Sequence, residues 1–300
     1  NQNISLYCLN YRTGKPHKRV LPMKKSSSSY NPSDEGYLRV SKSSLITYMK
    51  CPRQFYWNYV SGVPRPPPSE EMIRGTAIHS VLEAGLLQGE EAMNITSQEL
   101  NVESDPAVIR MADLVHQIAA HMEGLDLVEA EAKHEVHENY QGYDVIWVGM
   151  IDGVIRNPDD TLTIVELKTG TANIGKINRT RKEMVYYLRL LGLMDYAEVT
   201  HFLYILPDYE KDENAWECKL LAEGEKRNKV VFEGKYGGYA LLEQVSTRSI
   251  KAFDKSLSNT IESLVAQQWP MKWNDYFCPI WCDFNLNCEA ELTGYTESTI

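Results

Sequence analysis

Two strand-like segments that carry acidic side chains constrain the fold of this chain more than any other feature. The first reads Gly149-Met-Ile-Asp152-Gly153, and the second reads Ile164-Val-Glu166-Leu-Lys168-Thr169. Because side chains alternate across a strand, Glu166 and Lys168 share one face, while Val165 and Leu167 point to the other, packed face. Two carboxylates and one ammonium group would then converge.

The length of the connection decides whether Asp152 and Glu166 share a face of the sheet. A four-residue loop at 157–160 would pair Arg156 with Thr161. That register would push Glu166 to the opposite face, because a slip of one residue flips every side chain. We therefore predict an odd-length connection, such as Asn157 to Thr161, or a β-bulge near Asp152.

Asp152, Glu166 and Lys168 together suit metal-assisted phosphodiester chemistry. Carboxylate oxygens bind hard cations such as Mg²⁺ or Mn²⁺, which polarise a phosphodiester and activate water. Lys168 could orient that water or balance charge in the transition state. Taken alone, the pattern is more simply explained by a surface hairpin with charges on its wet face. His79 strengthens the interpretation as a metal site, because it lies on a predicted helix with Glu83 one turn later on the same side.

The periodicity of apolar residues predicts an α/β domain. From Ser41 an aromatic helical face runs along the chain, with an interruption near Pro52. The later predicted helices are Glu70–Leu87, Pro106–Glu123, Thr180–Tyr196 and Ser246–Gln268, and the predicted strands are Val128–Tyr140, Tyr143–Ile155, Thr161–Thr169, His201–Leu206 and Trp216–Leu221. The residues expected on the buried side of the Pro106–Glu123 helix are Ile109, Leu114, Val115 and Ile118. This order predicts a central mixed sheet flanked by helices.

Residues 1–36 have the composition of a linker, which predicts a flexible arm before a domain spanning 37–300. The formal net charge of −10 argues against a protein that coats nucleic acid through bulk electrostatics. The candidate basic patches are Lys15, Lys18, Arg19, Lys24 and Lys25, and then Lys176, Arg179, Arg181 and Lys182. Solvated surface charge is the simpler explanation of each patch alone. No apolar run is long enough for a membrane span or a signal peptide, so we expect a soluble, cytoplasmic protein.

Six cysteines in a chain expected to be intracellular favour reduced thiols or metal ligands over disulfides. Three of them, Cys278, Cys282 and Cys288, crowd together near the end of the chain. Trp281 and Phe284 in the same stretch indicate a packed segment. The other three cysteines, Cys8, Cys51 and Cys218, are scattered.

The order of these residues resembles the RecB-type branch of the PD-(D/E)XK nucleases. The resemblance runs from about Ser41 to Cys288, and its motifs are Ser43…Tyr48…Cys51-Pro52…Tyr56, Arg74-Gly75-Thr76-x-x-His79, Gly149-x-x-Asp152 and Glu166-x-Lys168. It implies a restriction-endonuclease-like fold. It also implies that Mg²⁺ or Mn²⁺ binds His79, Asp152, Glu166 and the carbonyl of Leu167, with Lys168 as the catalytic lysine.

This branch also has a Gln-x-x-x-Tyr element on the helix after the lysine strand. The matching stretch is Glu183-Met-Val-Tyr-Tyr187, in which glutamate replaces glutamine. Ionised glutamate only accepts hydrogen bonds, so the departure weakens the expectation of a direct phosphate contact at position 183. The residues expected to contact DNA on this helix are Tyr187, Glu183, Arg179 and Lys182, although Tyr187 fits a buried core position equally well.

The cysteines match the plan of iron-sulfur members of the branch, which include AddB-type subunits and CRISPR-associated exonucleases. These members place one cysteine before the nuclease motifs and three after them, which corresponds to Cys51, Cys278, Cys282 and Cys288. One departure is that three residues, rather than two, separate Cys278 from Cys282. The resemblance implies a [4Fe-4S] cluster that staples the N- and C-terminal segments, although four thiolates also suit Zn²⁺.

As a whole, the resemblance implies metal-dependent hydrolysis of DNA, by an exonuclease acting on single strands or ends in recombination, repair or CRISPR-type processing. Two alternatives stay open: a non-catalytic DNA-end-binding component of a larger complex, and a zinc-stapled protein that acts on RNA. The sequence has no Walker-type phosphate loop, so a helicase could only be a partner, as could other recombination or CRISPR proteins.

Overall fold

The structure is a computed structural model that describes residues 37–64, 67–170, 174–209 and 229–294. The arm predicted at 1–36, with its basic patch, lies outside the described residues. So does the strand predicted at Trp216–Leu221.

The described helices follow the predicted order, with additional short ones. They are α1 (Lys42–Lys50), α2 (Pro52–Tyr59), α3 (Glu70–Gln88), α4 (Glu90–Glu99), α5 (Pro106–His121), α6 (Ile174–Leu193), α7 (Thr247–Val265), α8 (Phe277–Trp281) and α9 (Asn285–Thr293). Polar caps fix several of their starts. Ser41 forms a capping box with Ser44, Ser69 accepts a hydrogen bond from the Met72 amide, and the Asp105 carboxylate accepts one from the Ala107 amide.

The strands form a mixed seven-stranded sheet flanked by helices. They are β1 (Leu38–Ser41), β2 (Asp126–Tyr140), β3 (Tyr143–Arg156), β4 (Leu162–Leu167), β5 (Val199–Leu206), β6 (Lys229–Glu233) and β7 (Tyr239–Gln244). The order in the sheet is β1-β3-β4-β5-β7-β6, and β2 pairs with β3 beside this path. The β1–β3 and β4–β5 pairs are parallel, while β3–β4, β5–β7 and β6–β7 are antiparallel. The predicted mixed sheet is therefore confirmed.

The contacts divide the chain into two compact units. The first takes the described parts of Pro68–His134 and Gly149–Ile250. Its core lies between one face of the sheet and the helices α3 and α5. The residues that meet there include Ile78 and Leu82 of α3, Met111 and Leu114 of α5, and Val165 and Leu167 of β4.

The second unit takes the described parts of Lys18–Pro67, Glu135–Val148 and Lys251–Ile300. Aromatic rings dominate its interior. The Phe55 ring stacks on Trp269 with centroids 5.5 Å apart, and the Tyr48 hydroxyl donates a hydrogen bond of 2.7 Å to the carbonyl of Gln268. The aromatic helical face predicted from Ser41 is confirmed, including its interruption at Pro52.

Some predicted details were wrong. Ile109 is exposed, whereas Val115 packs against the core as predicted; Val108 and Met111, which were not predicted to be buried, also face the core from α5. The helix expected to begin at Thr180 begins at Ile174. The short elements α4, α8, α9, β1, β6 and β7 were not predicted.

Candidate active site

The hairpin between β3 and β4 has the register that the shared-face argument requires. Gly153 lies opposite Val165, and Arg156 lies opposite Leu162. The connection therefore spans the five residues 157–161, closed by a 2.8 Å hydrogen bond from the Asn157 amide to the Thr161 carbonyl. The predicted odd-length connection is confirmed. When this register is continued by one residue, Asp152 lies directly opposite Glu166 on the neighbouring strand.

Asp152 and Glu166 are both buried carboxylates at the open end of this hairpin. The side chain of Asp152 accepts a 2.7 Å hydrogen bond from the backbone amide of Leu167, which ties β3 to the end of β4. Glu166 is only 1% exposed and forms an ion pair with Lys168. Since Val165 and Leu167 pack into the core of the first unit, Glu166 lies on the opposite face of β4, as predicted.

His79 approaches Asp152 from helix α3. Its Nδ1 atom lies 3.5 Å from Asp152 Oδ2 and 3.4 Å from Glu131 Oε1. One ligand atom from each of His79, Glu131 and Asp152 lies within 4.8 Å of the other two. Imidazole nitrogen and carboxylate oxygen are donors that Mn²⁺ and Mg²⁺ sites use, so this set fits a divalent cation.

Glu131 was missed by the sequence analysis. It lies within β2 with a left-handed φ of 46°, which is rare for a residue other than glycine. On either side of it, Glu129 and His134 meet at 2.7 Å, although five positions along a regular strand would put them on opposite faces. The strand is therefore irregular at Glu131, and no turn-forming residue in the sequence marks this irregularity.

The carboxylates of this cluster favour a positive charge on His79. Burial lowers the pKa of His79, but hydrogen bonds to Asp152 and Glu131 outweigh it and raise the pKa to about 9. Burial, followed by the charge of Glu131, raises the pKa of Glu83, one helical turn beyond His79. A metal ion at these groups would compete with a proton for the imidazole nitrogen.

Tyr187 lies behind the acidic groups and not on the surface. It is 2% exposed, and its hydroxyl donates a hydrogen bond to the carbonyl of Met150. Burial, then the charges of Glu166 and Asp152, raise its pKa far above the usual range. The structure therefore places Tyr187 in the core, in line with the alternative interpretation of this residue, and its contact with DNA stays a prediction.

The remaining residues expected to contact DNA occupy different environments on α6. Arg179 and Lys182 are exposed. Glu183 is turned towards the hairpin, with Oε2 at 2.9 Å from Lys168 Nζ. Arg181, from the same basic patch, binds Glu243 through two hydrogen bonds of 2.5 and 2.7 Å, so its charge is used within the fold.

The cysteines of interest are all in the second unit, and all four are free thiols. Cys51, Cys278 and Cys282 line a pocket of about 440 Å³ together with Lys50 and Lys272. Burial is the largest cause that raises the pKa of the Cys288 thiol, and the charges of Cys282 and Cys51 add to it. The four cysteines therefore share one neighbourhood, but within the described part of the chain no set of three sulfur atoms is as tight as the His79 cluster.

The segment around these cysteines is only partly packed. Phe284 is buried, as predicted, but Trp281 is 64% exposed, so its expected packing was wrong.

Comparison with known proteins identifies the architecture. The family model described as the PD-(D/E)XK nuclease superfamily matches residues 39–289. The chain belongs to this superfamily. Membership indicates metal-dependent cleavage of nucleic acid, with DNA as the substrate that the family implies.

Among solved structures, the chain is similar to one described as "Crystal structure of SSO0001", with 13% identity and a TM-score of 0.40, over 84% of this chain and 86% of that chain. No curated protein matches this chain.

Within the described residues, no helix has the length and apolar character needed to cross a bilayer.

Proposed function

We propose that this protein is a Mg²⁺- or Mn²⁺-dependent deoxyribonuclease whose active site is built on the β3–β4 hairpin. The observation that carries the proposal is the convergence of Asp152, Glu166 and Lys168 from two antiparallel strands, with the imidazole of His79 beside Asp152.

The roles of the residues follow from their donor atoms. Asp152, Glu166 and His79, with the carbonyl of Leu167, would hold the cation, and Glu131 would add a further carboxylate donor. The cation supplies Lewis acidity to the scissile phosphodiester and to the attacking water. Lys168 contributes positive charge where negative charge develops on the phosphate oxygens. Burial of both carboxylates keeps these groups in fixed positions before substrate arrives.

The finer assignments rest on the RecB-type resemblance. We propose exonuclease action on single-stranded DNA or DNA ends, in recombination, repair or CRISPR-type processing, by one nuclease domain spanning 37–300. The exposed Arg179 and Lys182 on α6 are candidates for phosphate contacts near the site.

We further propose that Cys51, Cys278, Cys282 and Cys288 hold a [4Fe-4S] cluster. Support comes from their shared neighbourhood: Cys51, Cys278 and Cys282 line one pocket, and Cys288 lies close enough to Cys282 and Cys51 for their charges to add to burial in raising its pKa. A metal centre would replace the protons on such thiols. The cluster's role would be structural, as a staple between distant parts of the chain.

The direct test is incubation of anaerobically purified protein with end-labelled single-stranded DNA, double-stranded DNA and RNA, each with Mg²⁺, Mn²⁺ or chelator. We expect cleavage of DNA that requires a divalent cation. Binding of DNA ends without cleavage in any metal would favour the non-catalytic component instead. Preferential cleavage of RNA would contradict the assignment of substrate.

A further inference from the structure

Two carboxylates bracket the ammonium group of Lys168. Glu166, near the end of β4, lies on one side, and Glu183 Oε2 on α6 lies 2.9 Å away. The side chains of Lys168 and Glu183 are 22% and 16% exposed, so the pair is largely shielded from water. Shielding strengthens such an ion pair relative to one on the surface.

The helix that carries Glu183 is held firmly at this point. Met184, Val185, Tyr186 and Tyr187 follow it directly and are all buried. Two residues earlier in the chain, Arg181 is anchored to Glu243 of β7 by two hydrogen bonds. Glu183 therefore projects from a rigid element, which is the condition for fixing another side chain in place.

The chemistry of Glu183 excludes a direct attraction to the DNA backbone. An ionised carboxylate has no hydrogen to donate to a phosphate oxygen, and its charge repels phosphate. Its neighbour Lys168 is the group that it can stabilise. Glu183 also adds a negative charge to a site that already contains Asp152, Glu166 and Glu131.

We infer that Glu183 is a positioning residue, which holds the Lys168 ammonium beside Glu166 and makes the site repel DNA until a divalent cation is bound. This inference rests on the proposed nuclease function. It assigns two effects to one carboxylate: orientation of Lys168 during the reaction, and suppression of DNA binding in the absence of metal.

Substitution at position 183 separates these effects from a purely structural role. Glu183→Gln keeps the length of the side chain and an acceptor oxygen but removes the charge. We expect kcat to fall by about 10- to 100-fold, as is typical for loss of a supporting partner at a metal site. KM should change little. In chelator, the same variant should bind single-stranded DNA several-fold more tightly than the wild type, because one repulsive charge is gone.

The experiment compares wild type, Glu183→Gln, Glu183→Ala and the control Glu99→Gln, which removes an exposed charge from α4. The measurements are kcat and KM in saturating Mn²⁺, DNA affinity in chelator, and the unfolding midpoint. If Glu183→Ala does not fold, Glu183→Gln decides. Wild-type kcat in Glu183→Gln, or unchanged affinity in chelator, would overturn this inference and leave the nuclease assignment standing. An inactive wild type would overturn the proposed function and this inference with it.

Discussion

At the scale of single residues, the site consists of a few charged groups held in partly buried positions. His79, Glu131 and Asp152 come from a helix and two different strands, yet their ligand atoms lie within 4.8 Å. Two carboxylates this close, such as those of Glu131 and Asp152, raise each other's energy unless a cation or a proton lies among them. A divalent cation is the partner that the superfamily implies.

Loss of one of these donors should weaken metal binding. For His79→Ala and Glu131→Gln we expect the dissociation constant for Mn²⁺ to rise by about 10- to 100-fold, because each variant removes one donor and leaves the others. Calorimetric titration of the folded proteins measures this directly. The exposed-charge variant Glu99→Gln should bind Mn²⁺ like the wild type. Unchanged affinity in Glu131→Gln would remove Glu131 from the metal site.

Sequence could predict part of this residue-scale arrangement. The shared face of Glu166 and Lys168 follows from strand alternation, and the register of Asp152 follows from the parity of the loop. Glu131 could not be predicted in the same way. Its carboxylate reaches His79 from a position where the backbone of β2 is left-handed, and that conformation depends on tertiary contacts.

At the scale of elements, an arginine joins the helix that bears His79 to the segment that follows β4 and contains Lys168. Arg74 on α3 makes bidentate hydrogen bonds to Asp105 and to Asp208, with distances from 2.6 to 3.0 Å. Asp208 in turn accepts a 2.6 Å hydrogen bond from the amide of Gly170, two residues after Lys168. The cluster therefore fixes the N-terminal part of α3 against the segment that follows β4.

This cluster predicts a stability that depends on acid pH. The hydrogen bond from Arg74 is the main cause that lowers the pKa of Asp105. For Asp208, burial raises the pKa, but Arg74 and Gly170 outweigh it and the net shift is downward. Because both folded-state pKa values lie below the unfolded ones, the stabilisation is present above the unfolded pKa. It is lost as the pH falls through the folded pKa.

Urea unfolding at neutral pH and near pH 3 tests this expectation. Arg74→Leu should be less stable than the wild type at neutral pH, and the difference between the two proteins should shrink in acid. A suitable control is Arg39→Leu, which removes an exposed pair with Glu135 in the second unit and should change little. A difference between Arg74→Leu and wild type that is the same at both pH values would contradict the proposed linkage.

The sequence predicts long elements better than short ones. The helix α3 and the strands β3 and β5 have strong periodicity, and their predicted ends lie within two residues of the observed ones. The strand β1 has only four residues and is defined by its parallel pairing with β3, so its strand character comes from tertiary structure. The β6–β7 hairpin does carry a signal in the sequence, the glycine pair Gly237-Gly238. Both glycines have positive φ in its turn.

At the scale of the whole molecule, the proposed nuclease site and the four cysteines lie in different compact units. The acidic hairpin and His79 belong to the first unit, and the four cysteines belong to the second. The cysteines come from opposite ends of the nuclease region, so a centre that links them would close a very long loop. Closing such a loop reduces the entropy of the unfolded chain.

Replacement of a cysteine should therefore lower the stability and the visible absorbance of the protein, and should affect DNA cleavage only indirectly. For Cys51→Ser and Cys288→Ser we expect loss of the broad visible absorbance and of bound iron, together with a lower unfolding temperature. Ser258→Ala on α7 offers a control in the same unit, because the Ser258 hydroxyl makes an exposed hydrogen bond of 3.0 Å to the side chain of Gln141. A colourless wild type that contains stoichiometric zinc would contradict the iron assignment.

The central claim is that Asp152, Glu166 and Lys168 form a metal-dependent active site, and the most direct test is the single-turnover cleavage rate of end-labelled DNA. Asp152→Asn, Glu166→Gln and Lys168→Met keep approximate side-chain size, and Asp152→Asn retains an acceptor for the Leu167 amide. We predict that the wild type cleaves in Mn²⁺ and not in chelator, while all three variants fold but do not cleave. Wild-type cleavage rates in any one of these folded variants would contradict the account.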